Sequence, residues 1–259
     1  PANSQITLAV RVVSYGAGLR LLIAQDVTQL RKMEQMRKDF VANVSHELRT
    51  PLTVLKGYLE TLQELDEPLS PLLSHSFQQM QEQTERMQYL VDDLLLLAKL
   101  ETQPKKTQCV NVPSLLSKIC KESENLNNSA ERIELTLATN ANIYGDENEL
   151  RSAFSNLLGN ALKYSPKESK VKVRWHQTPE NLVLDVVDQG EGIAEPEIPR
   201  ITERFYRIDV KRANKVAGTG LGLAIVKHVL MRHDGRLVIT SQLYKGSTFS
   251  CNFPVARIC

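Results

Sequence analysis

The sequence predicts a helical hairpin that assembles into a dimeric, antiparallel four-helix bundle, followed by an α/β two-layer sandwich. Three observations carry that prediction: two long stretches with apolar residues at heptad spacing between positions 41 and 100, a polar break at 101–106, and alternating strand-like and helix-like runs beyond it. In the first helix Val41, Val44, Leu48, Leu55, Tyr58 and Leu62 recur at spacings of three, four and seven. In the second, from about Leu72 to about Leu100, the residues Leu73, Phe77, Met80, Thr84, Met87, Val91, Leu94 and Ala98 step alternately by four and three. Leu90, Leu95 and Leu97 add apolar positions beside that seam, and Asp66–Pro71 makes the turn between the helices. One hairpin cannot bury two wide apolar stripes, whereas two hairpins can, so a homodimer is the economical arrangement.

Past the break, Pro113–Asn125 is predicted helical, and Arg132–Ala138 alternates as a half-buried strand does. A helix should begin at Asp146, with Asp146 and Glu149 as a capping pair. Lys170–Gln177 and Leu182–Val187 read as a hairpin, a helix follows near 221–233, and Leu237–Ser241 with Ser247–Phe253 closes the chain as a second hairpin. Ahead of the bundle, Ile6–Val13 and Leu19–Ala24 flank a glycine-containing turn and form one more hairpin. Two strands alone are marginal in water, so this hairpin is read as the end of a sheet domain.

A net charge of +2, from 32 basic and 30 acidic residues, gives no electrostatic argument for nucleic-acid or membrane-surface binding. No stretch approaches the ~20 apolar residues that span a bilayer. The chain begins with Pro1 rather than Met and is read as a soluble piece of something longer. Its four cysteines, Cys109, Cys120, Cys251 and Cys259, are scattered with no metal-ligand spacing, so reduced structural thiols are expected, with neither disulfide nor zinc.

Ser45-His46-Glu47-Leu48-Arg49-Thr50-Pro51-Leu52 combines a nucleophile, a nearby carboxylate and a helix fault. His46 lies two residues from Val44, about 200° of helical rotation, and points away from the seam. Thr50 is one turn further on the same face. Pro51 removes an amide donor and crowds the carbonyl of Glu47, a fault worth roughly 3 kcal/mol in a helix interior. By itself the histidine reads as a solvent-facing residue beside a kink; the octet as a unit on a heptad helix does not.

This octet resembles the phosphoacceptor box of bacterial sensor histidine kinases. The resemblance implies that His46 accepts the γ-phosphoryl group of ATP while Glu47 takes the proton from the other ring nitrogen. Neighbouring side chains do not face each other on a helix, so Glu47 must curl back to reach. Thr50 is expected to orient water in the reverse activity, dephosphorylation of a response regulator. The junction Asp26-Val27-Thr28 is similar to the end of a PAS sensory domain.

Four further motifs follow. Asn156, Asn160 and Lys163 share a helical face opposite Leu157, Leu158 and Leu162. Amide oxygens are hard, neutral ligands that suit Mg²⁺ already carrying triphosphate oxygens, and the lysine adds a point charge; alone, such a face is usually just solvated. Asp188-Gln189-Gly190-Glu191-Gly192-Ile193 follows an apolar strand, where a buried carboxylate can accept from an adenine amine. It lacks the third glycine of a dinucleotide fingerprint. Glu203-Arg204-Phe205-Tyr206-Arg207 leads into Lys211, Arg212 and Lys215, a cationic segment attractive to triphosphate. Gly218-Thr219-Gly220-Leu221-Gly222-Leu223 opens a helix whose free amides and dipole suit phosphate.

In this order the motifs resemble the ATP-binding fold shared by histidine kinases, type II topoisomerases, Hsp90 and MutL. That resemblance implies ATP and Mg²⁺ as cofactors, with Mg²⁺ on Asn160 and Asn156, Lys163 and Tyr164 around the nucleotide. It adds Asp188, Gly190, Gly192, Ile193, Phe205, Arg207, Gly218, Thr219, Gly220, Leu221, Gly222 and Leu223 to the nucleotide site. It further implies an autophosphorylating homodimer that donates to a response regulator, placed in the cytoplasm and reaching a membrane only through an N-terminal region outside this chain. Thr202 departs from the phenylalanine that many members carry before Glu203. The expected divisions are a PAS remnant at 1–28, the phosphotransfer hairpin at 29–101, a linker at 102–108 and the ATP-binding domain at 109–259. Two rivals remain: a sensory or scaffolding dimer whose pocket is only a switch, and an ATPase of the same superfamily.

Overall fold

The computed structural model describes residues 6–15, 19–29, 52–60, 71–126, 132–208 and 219–259. His46, Glu47, Thr50 and Gly218 lie outside them, as do the inter-helix turn, Pro51 and the cationic residues Lys211, Arg212 and Lys215.

An antiparallel hairpin, β1 (Leu8–Tyr15) and β2 (Leu19–Asp26), comes first, in register from Leu8 opposite Asp26 to Tyr15 opposite Leu19. Helix α1 covers residues 52–60 of the described chain, and α2 runs over Pro71–Thr102. Leu52 and Leu59 are buried, while Leu55 and Tyr58, both predicted on the seam, are exposed in the single chain. Along α2, Leu73, Met80, Met87 and Leu94 form an exposed stripe at steps of seven, and Thr84 and Val91 are buried.

The α/β part contains β3 (Gln108–Val110), α3 (Val112–Leu126), β4 (Ile133–Leu137), β5 (Ile143–Gly145), α4 (Glu147–Tyr164), β6 (Val171–Gln177), β7 (Asn181–Val187), α5 (Gly222–Arg232), β8 (Arg236–Gln242) and β9 (Gly246–Pro254). Five strands form one sheet in the order β4-β6-β7-β9-β8. The β4–β6 pair is parallel and the others are antiparallel. The inward positions of β6 alternate as Val171, Val173 and Trp175, all buried, with Lys172 and Arg174 exposed between them. These meet a helical layer that supplies Leu115 and Ile119 from α3, Leu150, Phe154 and Leu157 from α4, and Ile225 and Val229 from α5. Each such aliphatic or aromatic side chain contributes roughly 1.5–3 kcal/mol by leaving water. The result is the two-layer sandwich behind a helical region that the patterning predicted.

Helix α4 begins as the sequence asks: Asp146 caps it, accepting from the amides of Asn148 and Glu149 at 3.0 and 3.2 Å. Glu149 takes a different partner, binding Arg232 at the end of α5 through both carboxylate oxygens at 3.0 and 2.8 Å. Buried His233, just beyond, accepts the Asp146 amide on Nε2 at 3.0 Å and donates from Nδ1 to the carbonyl of Val229 at 2.7 Å.

The thiols correct one expectation. Cys109 and Cys259 form a disulfide with their α-carbons 5.8 Å apart, and Cys120 and Cys251 are free and buried. The pairing arises because β3 and β5 form a small sheet to which Ile258 bridges at Ile143, a juxtaposition that separate sequence positions do not display.

Candidate functional site

The site forms where the C-terminal half of α4, the loop after β7, the segment 203–207, the start of α5 and the β8–β9 turn converge. Strand β7 ends in an apolar run, and the next residue, Asp188, is 6% exposed. Its Oδ1 accepts from the Gly190 amide at 2.8 Å and the Ser247 amide at 3.1 Å. Its own amide donates to the Ser247 carbonyl at 2.9 Å. Burial pushes the Asp188 carboxyl above the usual range, and these donated hydrogen bonds pull back towards the charged form.

The loop after Asp188 is held from both sides. Ser165, buried just past α4, accepts the Gln189 amide on its hydroxyl at 3.2 Å, and Ser241 accepts the Ile193 amide at 2.7 Å. Gly192 has φ +71°, and a β-carbon there would sit 2.0 Å from the Gln242 carbonyl oxygen, so a side chain is excluded twice over.

On α4, Asn156, Asn160 and Lys163 are half-buried on the face away from Leu157, Leu158 and Leu162, while Tyr164 is exposed. Asn156 donates from Nδ2 to the Ser152 carbonyl at 3.0 Å, which turns Oδ1 towards α5. There it lies against Gly222: a β-carbon on that glycine would come within 2.5 Å of Oδ1. Asn160 stands one turn further along. Burial, followed by the positive charges of Arg207 and Arg86, lowers the Lys163 ammonium to about 8, and its Nζ lies 5.2 Å from the Tyr164 ring centroid.

Phe205 adopts φ +63° and donates its amide to Gly220 at 2.9 Å, which seats the segment 203–207 on the glycine-rich start of α5. Its ring is exposed. Tyr206 is anchored by its hydroxyl on Glu197 and by Arg200, whose guanidinium carbon lies 4.2 Å from the ring centroid. The N-cap of α5, Leu221, makes no side-chain cap bond, and the first turn holds no acidic residue. That end therefore presents backbone amides and a positive dipole to the site. Thr219 lies beside it, accepting the Leu221 amide on its hydroxyl at 3.2 Å.

The described residues thus bring together Asn156, Asn160, Lys163, Tyr164, Asp188, Gly190, Gly192, Ile193, Phe205, Arg207, Thr219, Gly220, Leu221, Gly222 and Leu223, from parts of the chain separated by up to 67 positions. Sequence reasoning missed the serine wall of Ser165, Ser241 and Ser247. The available signal was Gly246-Ser247 at the start of the last strand, where Gly246 has φ +97° and lets its neighbour close on Asp188.

Comparison with known proteins bears on the same segments. Residues 36–103 match the family model described as His Kinase A (phospho-acceptor) domain. Residues 145–257 match the model described as histidine kinase-, DNA gyrase B- and HSP90-like ATPase. The phosphate regulon sensor protein PhoR of Pseudomonas aeruginosa is 49% identical over 261 residues, covering 100% of this chain and 59% of that protein. PhoR of Haemophilus influenzae is 39% identical over 252 residues, covering 97% of this chain and 59% of that protein. The chain thus spans less than two thirds of the length of either relative. Among solved structures, full-length ShkA in complex with AMPPNP superposes with a TM-score of 0.66 at 26% identity, over 83% of this chain and 45% of that one.

Proposed function

This chain belongs to the two-component sensor histidine kinases, and we propose that it is an ATP-dependent protein-histidine kinase that phosphorylates His46 and passes the phosphoryl group to an aspartate of a response regulator. The observation that carries the reading is the convergence of a buried, backbone-anchored carboxylate, Asp188, with the amide-presenting start of α5 and the polar face of α4. In this reading Asp188 accepts from the adenine amine, and the Gly190–Ile193 loop lies against the base. Lys163, Arg207 and the amides of residues 219–223 take the phosphate oxygens, and Gly218 is assigned to the same glycine-rich motif. Arg207 lies close enough to lower the affinity of Lys163 for its proton, so two positive charges share the phosphate end of the site.

Asn160 would hold Mg²⁺. Among the described residues no group of three or more histidine, cysteine or carboxylate side chains could hold a metal ion. A lone amide oxygen fits Mg²⁺ delivered on the triphosphate better than a resident ion. Bound there, Mg²⁺ would neutralise charge on the transferring phosphate. The His46 imidazole attacks in line from its unprotonated nitrogen, and Glu47 receives the proton from the other. Thr50 orients water for the opposing dephosphorylation of the regulator.

The phosphoacceptor hairpin is taken as residues 29–101, the linker as 102–108 and the nucleotide domain as 109–259, preceded by a PAS remnant. The hairpin pairs with a second copy, because the exposed stripe Leu73, Met80, Met87 and Leu94 needs a cover. No helix among the described residues is long and apolar enough to cross a membrane. The proposed placement is the cytoplasmic side, with membrane attachment through a region outside this chain. High identity to two phosphate regulon sensors points to phosphate-starvation signalling.

Incubation with γ-labelled ATP tests the activity. Label on the protein that is lost in acid and kept in alkali identifies phosphohistidine; released inorganic phosphate without labelled protein would support an ATPase instead, and neither would leave a pocket used as a switch.

A further inference from the structure

Helix α2 carries a second stripe beside its exposed one. Arg86, Leu90, Asp93, Leu97 and Leu100 alternate by four and three, and this stripe faces the α/β sandwich. Leu97 and Leu100 are 2% and 3% exposed and belong to the same core as Phe154 and Val229, and Leu90 packs against it. Polar contacts fasten the C-terminal end of the helix: Arg232 donates from Nη1 to the carbonyls of Leu100 and Gln103 at 2.7 and 2.9 Å, and Glu101 pairs with Arg204. Lys105 donates to the Arg232 carbonyl at 2.5 Å.

The middle of this stripe meets the nucleotide site. The Thr219 hydroxyl donates to Asp93 Oδ2 at 2.7 Å while accepting the Leu221 amide, so one hydroxyl links a carboxylate of α2 to the N-cap of α5. Two turns earlier on the same stripe, the charge of Arg86 reaches Lys163. A helix N-terminus of this kind favours an anion, and here the anion beside it is a protein carboxylate.

We infer that Asp93 and Thr219 form an autoinhibitory latch: in the docked arrangement the Asp93 carboxylate takes the place at the start of α5 that a triphosphate must win before phosphoryl transfer. The inference rests on the reading of residues 219–223 as the phosphate end of an ATP site. Docked, the Asp93 carboxylate repels the incoming phosphates and occupies the Thr219 hydroxyl; once that contact opens, the hydroxyl becomes available to nucleotide beside the α5 amides. The latch couples release of α2 to nucleotide affinity, and any strain on the helical bundle that lifts α2 would raise that affinity.

Titrations of the full chain with ATP, ADP and adenosine test this. Asp93→Ala and, as a milder variant, Asp93→Asn should bind ATP about tenfold more tightly than the parent at low salt, the scale of removing one charge near a polyphosphate. Adenosine, which lacks phosphates, should bind all three proteins alike. Lys105→Met, which removes a contact at the far end of α5 from the phosphate site, should also tighten ATP by loosening the docked helix. Unchanged or weaker ATP binding in both Asp93 variants overturns the latch, as does an equal gain for adenosine. If ATP binds none of the proteins, while thermal melts show them folded, the underlying nucleotide reading fails and the latch falls with it.

Discussion

Asp188 Oδ1 accepts the Ser247 amide at 3.1 Å, a contact that joins the end of β7 to the start of β9 across 59 positions of sequence. Together with the Gly190 amide at 2.8 Å, it fixes the carboxylate plane before any ligand arrives. In the proposed pocket this rigidity selects an amine donor.

Asp188→Asn keeps the shape and inverts the polarity of one oxygen. The two backbone amides would hold the remaining carbonyl oxygen, leaving an NH₂ group towards the adenine amine. Nucleotide affinity should fall by about a hundredfold, the scale of a buried donor facing a donor. A titration with a fluorescent nucleotide reads this, and retained affinity would remove Asp188 from the base contact. The thermal midpoint should move little, because the substituted residue still accepts both amides.

Lys163 should report nucleotide arrival as a proton uptake. Burial, Arg207 and Arg86 hold its ammonium down at about 8, so near that pH a good fraction of the side chain is neutral in the free protein. A bound triphosphate raises the value again, and the lysine takes up a proton. Calorimetry in buffers of different ionisation enthalpy at pH 8 should show net uptake on ATP binding that vanishes at pH 6 and in Lys163→Met. Uptake unchanged in that variant would assign the proton elsewhere.

Stability should fall on mild acidification. His233 is fully buried and its charged form is disfavoured chiefly by desolvation; its Nε2 serves as acceptor for the Asp146 amide. Half-buried His228 is shifted the same way, by burial and by Arg204. With folded values below the ordinary 6.5, the unfolded chain binds more protons in acid. The contribution is therefore intact above about pH 6.5 and is lost as pH drops below it. Urea midpoints between pH 8 and pH 5.5 should decline over that window, and His233→Gln should flatten the slope. An equally steep slope in the variant would place the titration elsewhere.

The dimer rests on the stripe at steps of seven on α2. Met87 and Leu94 are 44% and 38% exposed in one chain, and glutamate at both would put uncompensated charges on the proposed axis. Light scattering should then show monomer with the α/β fold intact by circular dichroism. An unchanged dimer mass would move the interface to another surface.

Much of this architecture was legible because local pattern and tertiary role coincide. Asp146 announces α4, whose apolar positions from Leu150 to Leu162 fix the buried face and hence the polar one. The alternation in β6 fixes which side of the sheet receives the helices. What stayed hidden depends on partners distant in sequence. Glu149 had the spacing of a capping residue, but bidentate Arg232 outcompetes the Asp146 amide, which His233 already satisfies. The serine wall is three hydroxyls from the end of α4, the end of β8 and the start of β9, with no periodicity to mark it. The Cys109–Cys259 disulfide follows from a three-residue strand pair too short to be read from sequence. Leu97 and Leu100 look like bundle residues until the sandwich is seen to bury them.

The central claim is a division of labour: the acceptor on the helical hairpin, the nucleotide on the sandwich. His46→Gln tests it most directly when labelling and binding are measured on the same preparation. The account predicts that label from γ-labelled ATP disappears while the Kd for ATP stays within about twofold of the parent, since the imidazole contributes to transfer and not to binding. Persistent labelling would move the acceptor to another residue. A loss of affinity as large as that of Asp188→Asn would contradict the two-domain account outright.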